Sequence, residues 1–446
     1  MLQNITVFVM SHNITGENAV QIASSVESAV REGRLAPGAQ LPTVRALAQR
    51  LRVSPTTVAA AYRTLRQRGL VVAGGRRGSS VSTHPPLGAQ PAPSVPRHAR
   101  DLASGNPDPA LLPPLGPALR AIEPASVLYG GEICEPELLR AAKRAFAADG
   151  VPAGSVTVVS GALDGIERVL GAWLRPGDRV AVEDPGFPAV FHLLSALGLA
   201  AVPVRVDDSG PLPGDVERAL RSGVQALVVT TRAQNPFGSA LDERRARELR
   251  ALLRARPEVL VIEDDHGGAV AGAPACTLCA GLERWAVARS VSKSLGPDLR
   301  VALLAGDAAT IARVEGRLSC GIRWVSHLLQ RTVAELIRDR EVARRLRDAS
   351  RTYTERRQAL IGELAAHGVR AFGRSGMNVW VPVADEEAVA AALLEAGFAV
   401  WTGARFRILS PPAVRVTTAT LDPGDAPAVA GALAAALRPA GRSSAA

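Results

Sequence analysis

The sequence predicts a small helical module closed by a β-hairpin, a linker, and a large α/β body ending in a smaller α+β subdomain. Apolar residues recur at helical spacing over three short stretches near the N-terminus. From about Asp101 onward, short β-branched runs alternate with amphipathic helices, the pattern of a largely parallel sheet. The chain has 446 residues, enough for about three domains. With 47% hydrophobic, 21% charged and only 4% aromatic residues, it reads as globular, with cores built mainly from Ala, Leu and Val. No apolar run approaches the roughly 20 residues that span a bilayer. The N-terminus has no secretory-signal pattern, and four cysteines make no disulfide framework. A cytoplasmic protein without a membrane segment is expected.

The first module occupies residues 14–83. Helical spacing runs over 19–32, a turn-rich break over 33–42, and further helices over 43–51 and 54–68. The last opens on Ser54 as an N-cap with Pro55 in the first turn. Residues 70–73 and 79–83 read as two strands joined by a glycine- and arginine-rich tip. Helix, helix, turn, helix, hairpin is the order of a winged helix-turn-helix. Residues 84–100, rich in proline and without apolar periodicity, read as a linker. In the body, 101–438, strands are expected at 156–159, 179–182, 226–230 and 259–263. A long helical stretch follows over 308–364, then the α+β subdomain over 369–438.

Charge separates the two parts. The net charge is +10, and residues 1–100 hold twelve arginines against Glu17, Glu27 and Glu32, a balance of +9. The excess therefore sits on the small module, which points to a polyanionic partner. Arg45 lies at the start of the second helix, and the Thr56 and Thr57 hydroxyls open the third. Hydroxyls and free amides at a helix N-terminus suit phosphates, and the first turn of a recognition helix reaches base edges. The hairpin tip, Arg76-Arg77-Gly78, suits a minor groove or a phosphate backbone.

The body shows its own bias. The chain has 50 arginines but only two lysines, Lys143 and Lys293. A lysine retained against that bias can do what a guanidinium cannot: lose its proton and attack a carbonyl. Lys143 lies on a charged helix face and reads as solvated. Lys293 is flanked by Ser290, Ser292 and Arg300, a suitable setting for an aldehyde cofactor bearing a phosphate. Upstream, the run Val261-Ile262-Glu263-Asp264-Asp265-His266 is a strand with an acidic end, where an aspartate can hold a pyridinium nitrogen protonated. The Thr231–Gly238 segment offers the Asn235 amide to a ring hydroxyl. Ser160-Gly161-Ala162-Leu163-Asp164 joins a strand to a helix whose first amides, on Ala162 and Leu163, face any phosphate. The lone Cys276-x-x-Cys279 pair reads as incidental, and no metal is expected.

The stretches Leu41-Pro42-Thr43-Val44-Arg45-Ala46-Leu47-Ala48, Val53-Ser54-Pro55-Thr56-Thr57-Val58 and Ala61-Tyr62-Arg63-Thr64-Leu65 resemble the winged helix of the GntR regulators. The resemblance implies that Arg45, Thr56, Thr57 and the wing at Arg76, Arg77 and Gly78 contact a double-stranded DNA operator. Pro55 stands where that family usually has Arg.

The order of segments in the body is similar to the fold-type I aminotransferases of the aspartate aminotransferase group, which bind pyridoxal 5′-phosphate. That likeness implies a Schiff base on Lys293, Asp264 on the pyridine nitrogen, Asn235 on the ring oxygen and Phe187 stacked on the ring. It also implies phosphate contacts from Tyr129 of a second subunit and a carboxylate bound by Arg415. His266 stands where the group usually has Tyr, and Asn378 replaces a frequent His. Together the two parts resemble the MocR/GabR regulators. The implied function is a homodimeric transcription regulator that senses pyridoxal phosphate, or an amine or amino-acid effector, as an aldimine with weak or no turnover. A working aminotransferase is the alternative. The Asp264-Asp265-His266 variant resembles a branch tied to vitamin B6 salvage.

Overall fold

A computed structural model describes residues 14–73, 78–82, 95–152 and 154–438. The chain divides into two compact units.

In the N-terminal unit, three helices precede a two-stranded hairpin: α1 (Ala19–Arg31), α2 (Val44–Leu51), α3 (Pro55–Gln67), β1 (Val71–Ala73) and β2 (Ser79–Val81). Each helix starts on a side-chain cap, with Asn18, Thr43 and Ser54 accepting from the amides of Gln21, Ala46 and Thr57. Capping residues keep extended backbone angles, so α2 and α3 begin one residue later than periodicity alone suggests. Ile22, Val26, Leu47, Val58, Tyr62 and Leu65 form the core. The Tyr62 hydroxyl donates to the Pro42 carbonyl at 2.8 Å, tying α3 to the entry of α2, and burial pushes that phenol up to about 12. The hairpin is antiparallel, with Val71 opposite Val81. Arg76 and Arg77 of the hairpin tip, Thr83 at the end of the expected second strand, and residues 84–94 of the linker lie outside the described residues.

The body begins with β3 (Arg100–Asp101), then β4 (Ser155–Val159), β5 (Arg179–Asp184), β6 (Ala200–Asp207), β7 (Gly210–Pro211), β8 (Ala226–Val229), β9 (Leu260–Asp265), β10 (Trp285–Ser290) and β11 (Ala302–Gly306). Strands β4 to β11 form one eight-stranded sheet in the order β4-β11-β10-β9-β8-β5-β6-β7. Strands β5, β8, β9 and β10 pair in parallel. β11 is antiparallel to both β10 and β4, so β4 runs with the parallel set. The C-terminal ends of β4, β5, β8, β9 and β10 therefore share one edge, where ligands of open α/β sheets sit. These strands are buried along nearly their whole length, which explains their continuous apolar runs.

The stretch expected as one long helix is three: Ala308–Ser319, His327–Arg338 and Arg340–Ala366. The first break contains Arg323 at φ 63. At the second, Asp339 ends one helix and its carboxylate caps the next through the Glu341 and Val342 amides. The C-terminal subdomain holds β12 (Asn378–Pro382), β13 (Phe398–Ala399), β14 (Trp401–Thr402) and β15 (Ala413–Thr417). β12, β15 and β14 form an antiparallel sheet, and β13 pairs with β3, fixing residues 100–101 to this subdomain.

Candidate functional site

The residues singled out around Lys293 gather at the shared strand ends. Ser160 and Gly161 follow β4, and Gly161, at φ 101, opens the helix Ala162–Trp173 with no side-chain cap. The Ala162 and Leu163 amides are thus first-turn donors at the positive end of a helix dipole. Arg300 reaches the same turn, its Nη2 donating to the Ser160 carbonyl at 3.2 Å. A Cβ on Gly161 would come within 2.8 Å of that mobile guanidinium, and φ 101 is a backbone conformation that side chains rarely adopt, which is what favours glycine at this turn. At the end of β10, the Ser290 hydroxyl donates to Ser292 Oγ at 3.0 Å and accepts from the Ser292 amide.

The lysine is mostly enclosed. Its Nζ donates to the Gly105 carbonyl. Burial, reinforced by the nearby Arg415 charge, pulls its pKa down from 10.5 to about 8. Arg415, on β15, is 3% exposed and donates to the Ala103 carbonyl and, at 3.0 Å, to Asn235 Oδ1. Burial and the neighbouring Arg405 lower it to about 9, against the pull of Asp101. The 101–105 segment that supplies both carbonyls is bent by Asp101, which accepts from the Ala103 and Ser104 amides. Because Asn235 presents its oxygen to Arg415, its Nδ2 remains a donor. Asn378 lies beside it, accepting from the Thr417 hydroxyl at 3.0 Å.

At the end of β9, Asp264 is 4% exposed and its Oδ1 is buried without a hydrogen-bond partner among the described residues. The His266 Nδ1 lies 3.4 Å from the other oxygen. A buried carboxylate oxygen without a donor carries a desolvation cost unless a cationic or N–H group meets it. A pyridinium nitrogen is such a group, and the uncapped helix with Arg300 suits a phosphate on the same molecule. The donor set fits a phosphorylated pyridine aldehyde.

Other residues escaped the sequence reading. Asp265 is clamped by Arg232 (2.8 and 2.9 Å) and Arg289 (2.6 Å), and both arginines also reach Asp149. These guanidinium groups hold the Asp265 carboxyl well below the usual carboxylate range against its burial. Glu183, on β5, is buried with Oε1 unpartnered, and burial pushes it up to about 8 against hydrogen bonds from Thr230 and Gln234. Such pairings depend on tertiary placement, and nothing in the local sequence marks them. Phe187 lies just past β5 and is half-buried, whereas Tyr129 is 80% exposed, 5.5 Å from Trp324. Cys276 and Cys279 are both buried, and the Cys279 thiol donates to Glu263 at 3.3 Å. Among the described residues, no group of three or more His, Cys, Asp or Glu is placed to hold a metal ion.

In the N-terminal unit, Arg45 and Thr56 are exposed. Ser54 Oγ lies 2.6 Å from Thr56 Oγ1 and 2.7 Å from Thr57 Oγ1, so three hydroxyls cluster at the start of α3. Gly78 enters β2 at φ 83.

Fold and site together define a helix-turn-helix regulator with an aminotransferase-type body. Residues 119–433 match the family described as Aminotransferase class I and II, and residues 18–81 match Bacterial regulatory proteins, gntR family. The chain is 40% identical over 415 residues to the vitamin B6 salvage pathway transcriptional repressor PtsJ of Salmonella typhimurium, covering 92% of this chain and 96% of that one. It is 29% identical over 296 residues to the pyridoxine biosynthesis transcriptional regulator PdxR of Corynebacterium glutamicum, covering 59% and 60%. Its fold is similar to a crystal structure of an archaeal alanine:glyoxylate aminotransferase, with a TM-score of 0.70, 22% identity, and 76% and 90% coverage. The chain belongs to the aminotransferase class I and II family, in the MocR-type group of regulators that carry a gntR-family module. Among the described residues, no helix is long and apolar enough to cross a membrane.

Proposed function

We propose that this protein is a cytoplasmic, homodimeric transcription regulator that holds pyridoxal 5′-phosphate in its body and adjusts its grip on a DNA operator accordingly. The observation that carries the reading is the enclosed Lys293 amine, lowered to about 8. It shares a sheet edge with the orphaned Asp264 oxygen and the uncapped helix at Ala162. The names of both relatives concern vitamin B6, which favours pyridoxal phosphate itself as the effector and vitamin B6 supply as the regulated process.

When bound, the cofactor supplies an aldehyde carbon and an electron-poor ring. Lys293 offers a neutral amine to that carbon. Asp264 holds a proton at the ring nitrogen, with His266 beside its other oxygen. Asn235, its carbonyl engaged by Arg415, would give Nδ2 to the ring oxygen, and Phe187 would flank the ring. The Ala162 and Leu163 amides, Ser290, Ser292 and Arg300 take the phosphate. Tyr129, exposed on its own subunit, completes the phosphate contacts of a second copy. Arg415 receives the carboxylate of an amino-acid effector where one binds. Arg45, Thr56, Thr57 and the wing residues Arg76, Arg77 and Gly78 contact the operator.

The test is absorption spectroscopy on protein reconstituted with pyridoxal phosphate and washed. The lysine-linked band should persist in wild type and in Lys143→Ala, whose lysine is exposed, and vanish in Lys293→Ala. A band that survives in Lys293→Ala removes the assignment.

A further inference from the structure

Residues 403–410 form a short 3-10 turn, Gly403–Phe406, and an irregular continuation between β14 and β15. Two buried carboxylates grip this segment, one from its own subdomain and one from the sheet edge. From its own subdomain, Glu386 accepts from Arg407 Nη2 at 2.8 Å and from the Ala413 amide at 3.2 Å. From the sheet edge, Asp184, 1% exposed at the end of β5, accepts from the Ile408, Leu409 and Ser410 amides and the Ser410 hydroxyl, at 2.7–3.0 Å. The Phe406 carbonyl in turn accepts from the Gly186 amide at 2.8 Å. Successive amides converging on one buried carboxylate exceed what joining a surface loop requires, because each is a charge-assisted bond.

What the grip positions is the wall of the site. Phe406 is 2% exposed and its ring lies 4.8 Å from the Arg415 guanidinium, while Arg405 stacks 3.7 Å above Trp401. Arg405 is close enough to help lower the Arg415 pKa. Gly186 adjoins Phe187. One carboxylate thus joins the ring-side segment 185–187 to the segment that backs the carboxylate-binding arginine.

We infer that Asp184 is a positioning residue that latches residues 406–410 onto the sheet edge and sets the selectivity of the effector pocket for amines bearing a carboxylate. It touches neither cofactor nor effector and acts through Phe406 and Arg415. The inference rests on the proposed role of Arg415, and its test separates the two.

The first readout needs no cofactor. In hydrogen exchange on the unloaded full-length chain, Asp184→Ala should speed exchange of the 408–410 amides, and Asp184→Asn should do so less. Ser410→Ala, which removes one hydroxyl bond, covers the case in which Asp184→Ala fails to fold. The second readout titrates pyridoxal-phosphate-loaded protein with alanine and with ethylamine, which lacks a carboxylate. Asp184→Ala, or the milder variants in proportion, should weaken alanine about tenfold, the scale of one charged hydrogen bond, and leave ethylamine within about twofold. Unchanged exchange at 408–410, or equal weakening of both amines, overturns the latch. Wild-type protein that does not distinguish alanine from ethylamine would instead remove the role given to Arg415, while the exchange result still judges the latch.

Discussion

Lys293 and Glu183 are displaced by burial in opposite senses, and each displacement has a measurable consequence. The Lys293 amine, lowered from 10.5 to about 8, reaches its neutral form well below the pH an ordinary lysine needs. Covalent uptake of pyridoxal phosphate by unloaded protein should accelerate as pH rises to about 8 and level off above it; stopped-flow absorbance gives that profile. Asp264→Asn replaces a charged acceptor with a neutral one at a buried site and should cost about 1.5–3 kcal/mol of cofactor binding, read by equilibrium dialysis. Glu183 is raised from 4.5 to about 8, so between those values the folded state holds a proton that the unfolded chain has released. Its contribution to stability is complete below about 4.5 and is lost as pH rises through about 8. Denaturant unfolding of Glu183→Gln should show a flatter stability profile over that interval than wild type. The lysine was legible in the sequence because arginine had displaced its counterparts elsewhere. Asp264 and Asn235 were singled out from the order of their segments, and Arg415 only through the resemblance to aminotransferases. Glu183 was not, since its environment is assembled from β5, Thr230 and Gln234.

Among the elements, helix starts and strand ends carry most of the functional consequence. Ser54 caps α3 and gathers the Thr56 and Thr57 hydroxyls, so Ser54→Ala should lower stability of the N-terminal unit by about 1 kcal/mol and weaken DNA binding as well. Arg45→Ala should reduce DNA affinity and, with one phosphate fewer neutralised by each arm, lower the slope of log affinity against log salt by about 0.9 per monomer. Fluorescence anisotropy across a salt series measures both. Sequence periodicity located these helices to within a residue because caps and glycines punctuate them. It merged the helices on either side of Asp339 because that residue, polar in a polar stretch, leaves no interruption in the pattern where one helix ends and another begins. Strand order was likewise hidden: β11 inserts between β4 and β10 although 142 residues of chain separate Val159 from its partner Ala302, a non-local pairing without a local signature.

The whole molecule joins a unit shaped to bind DNA with a body whose donors fit a phosphorylated cofactor, and regulation requires that one report on the other. The exposed Tyr129 has a role at this scale only if a second copy completes the site, so light scattering should give a dimer at micromolar concentration. A regulator also gains nothing from rapid consumption of its signal. With His266 beside Asp264, transamination of ordinary amino acids should run far below the ~10 s⁻¹ median of enzymes. The most direct measurement is operator affinity by anisotropy, with DNA fragments first selected from the genome by the protein, with and without pyridoxal phosphate, in wild type and Lys293→Ala. The selected fragments should lie beside vitamin B6 genes, and the cofactor should shift affinity in wild type but not in Lys293→Ala. Pyridoxal phosphate bound at Lys293 with no change in affinity for any selected fragment would contradict the account.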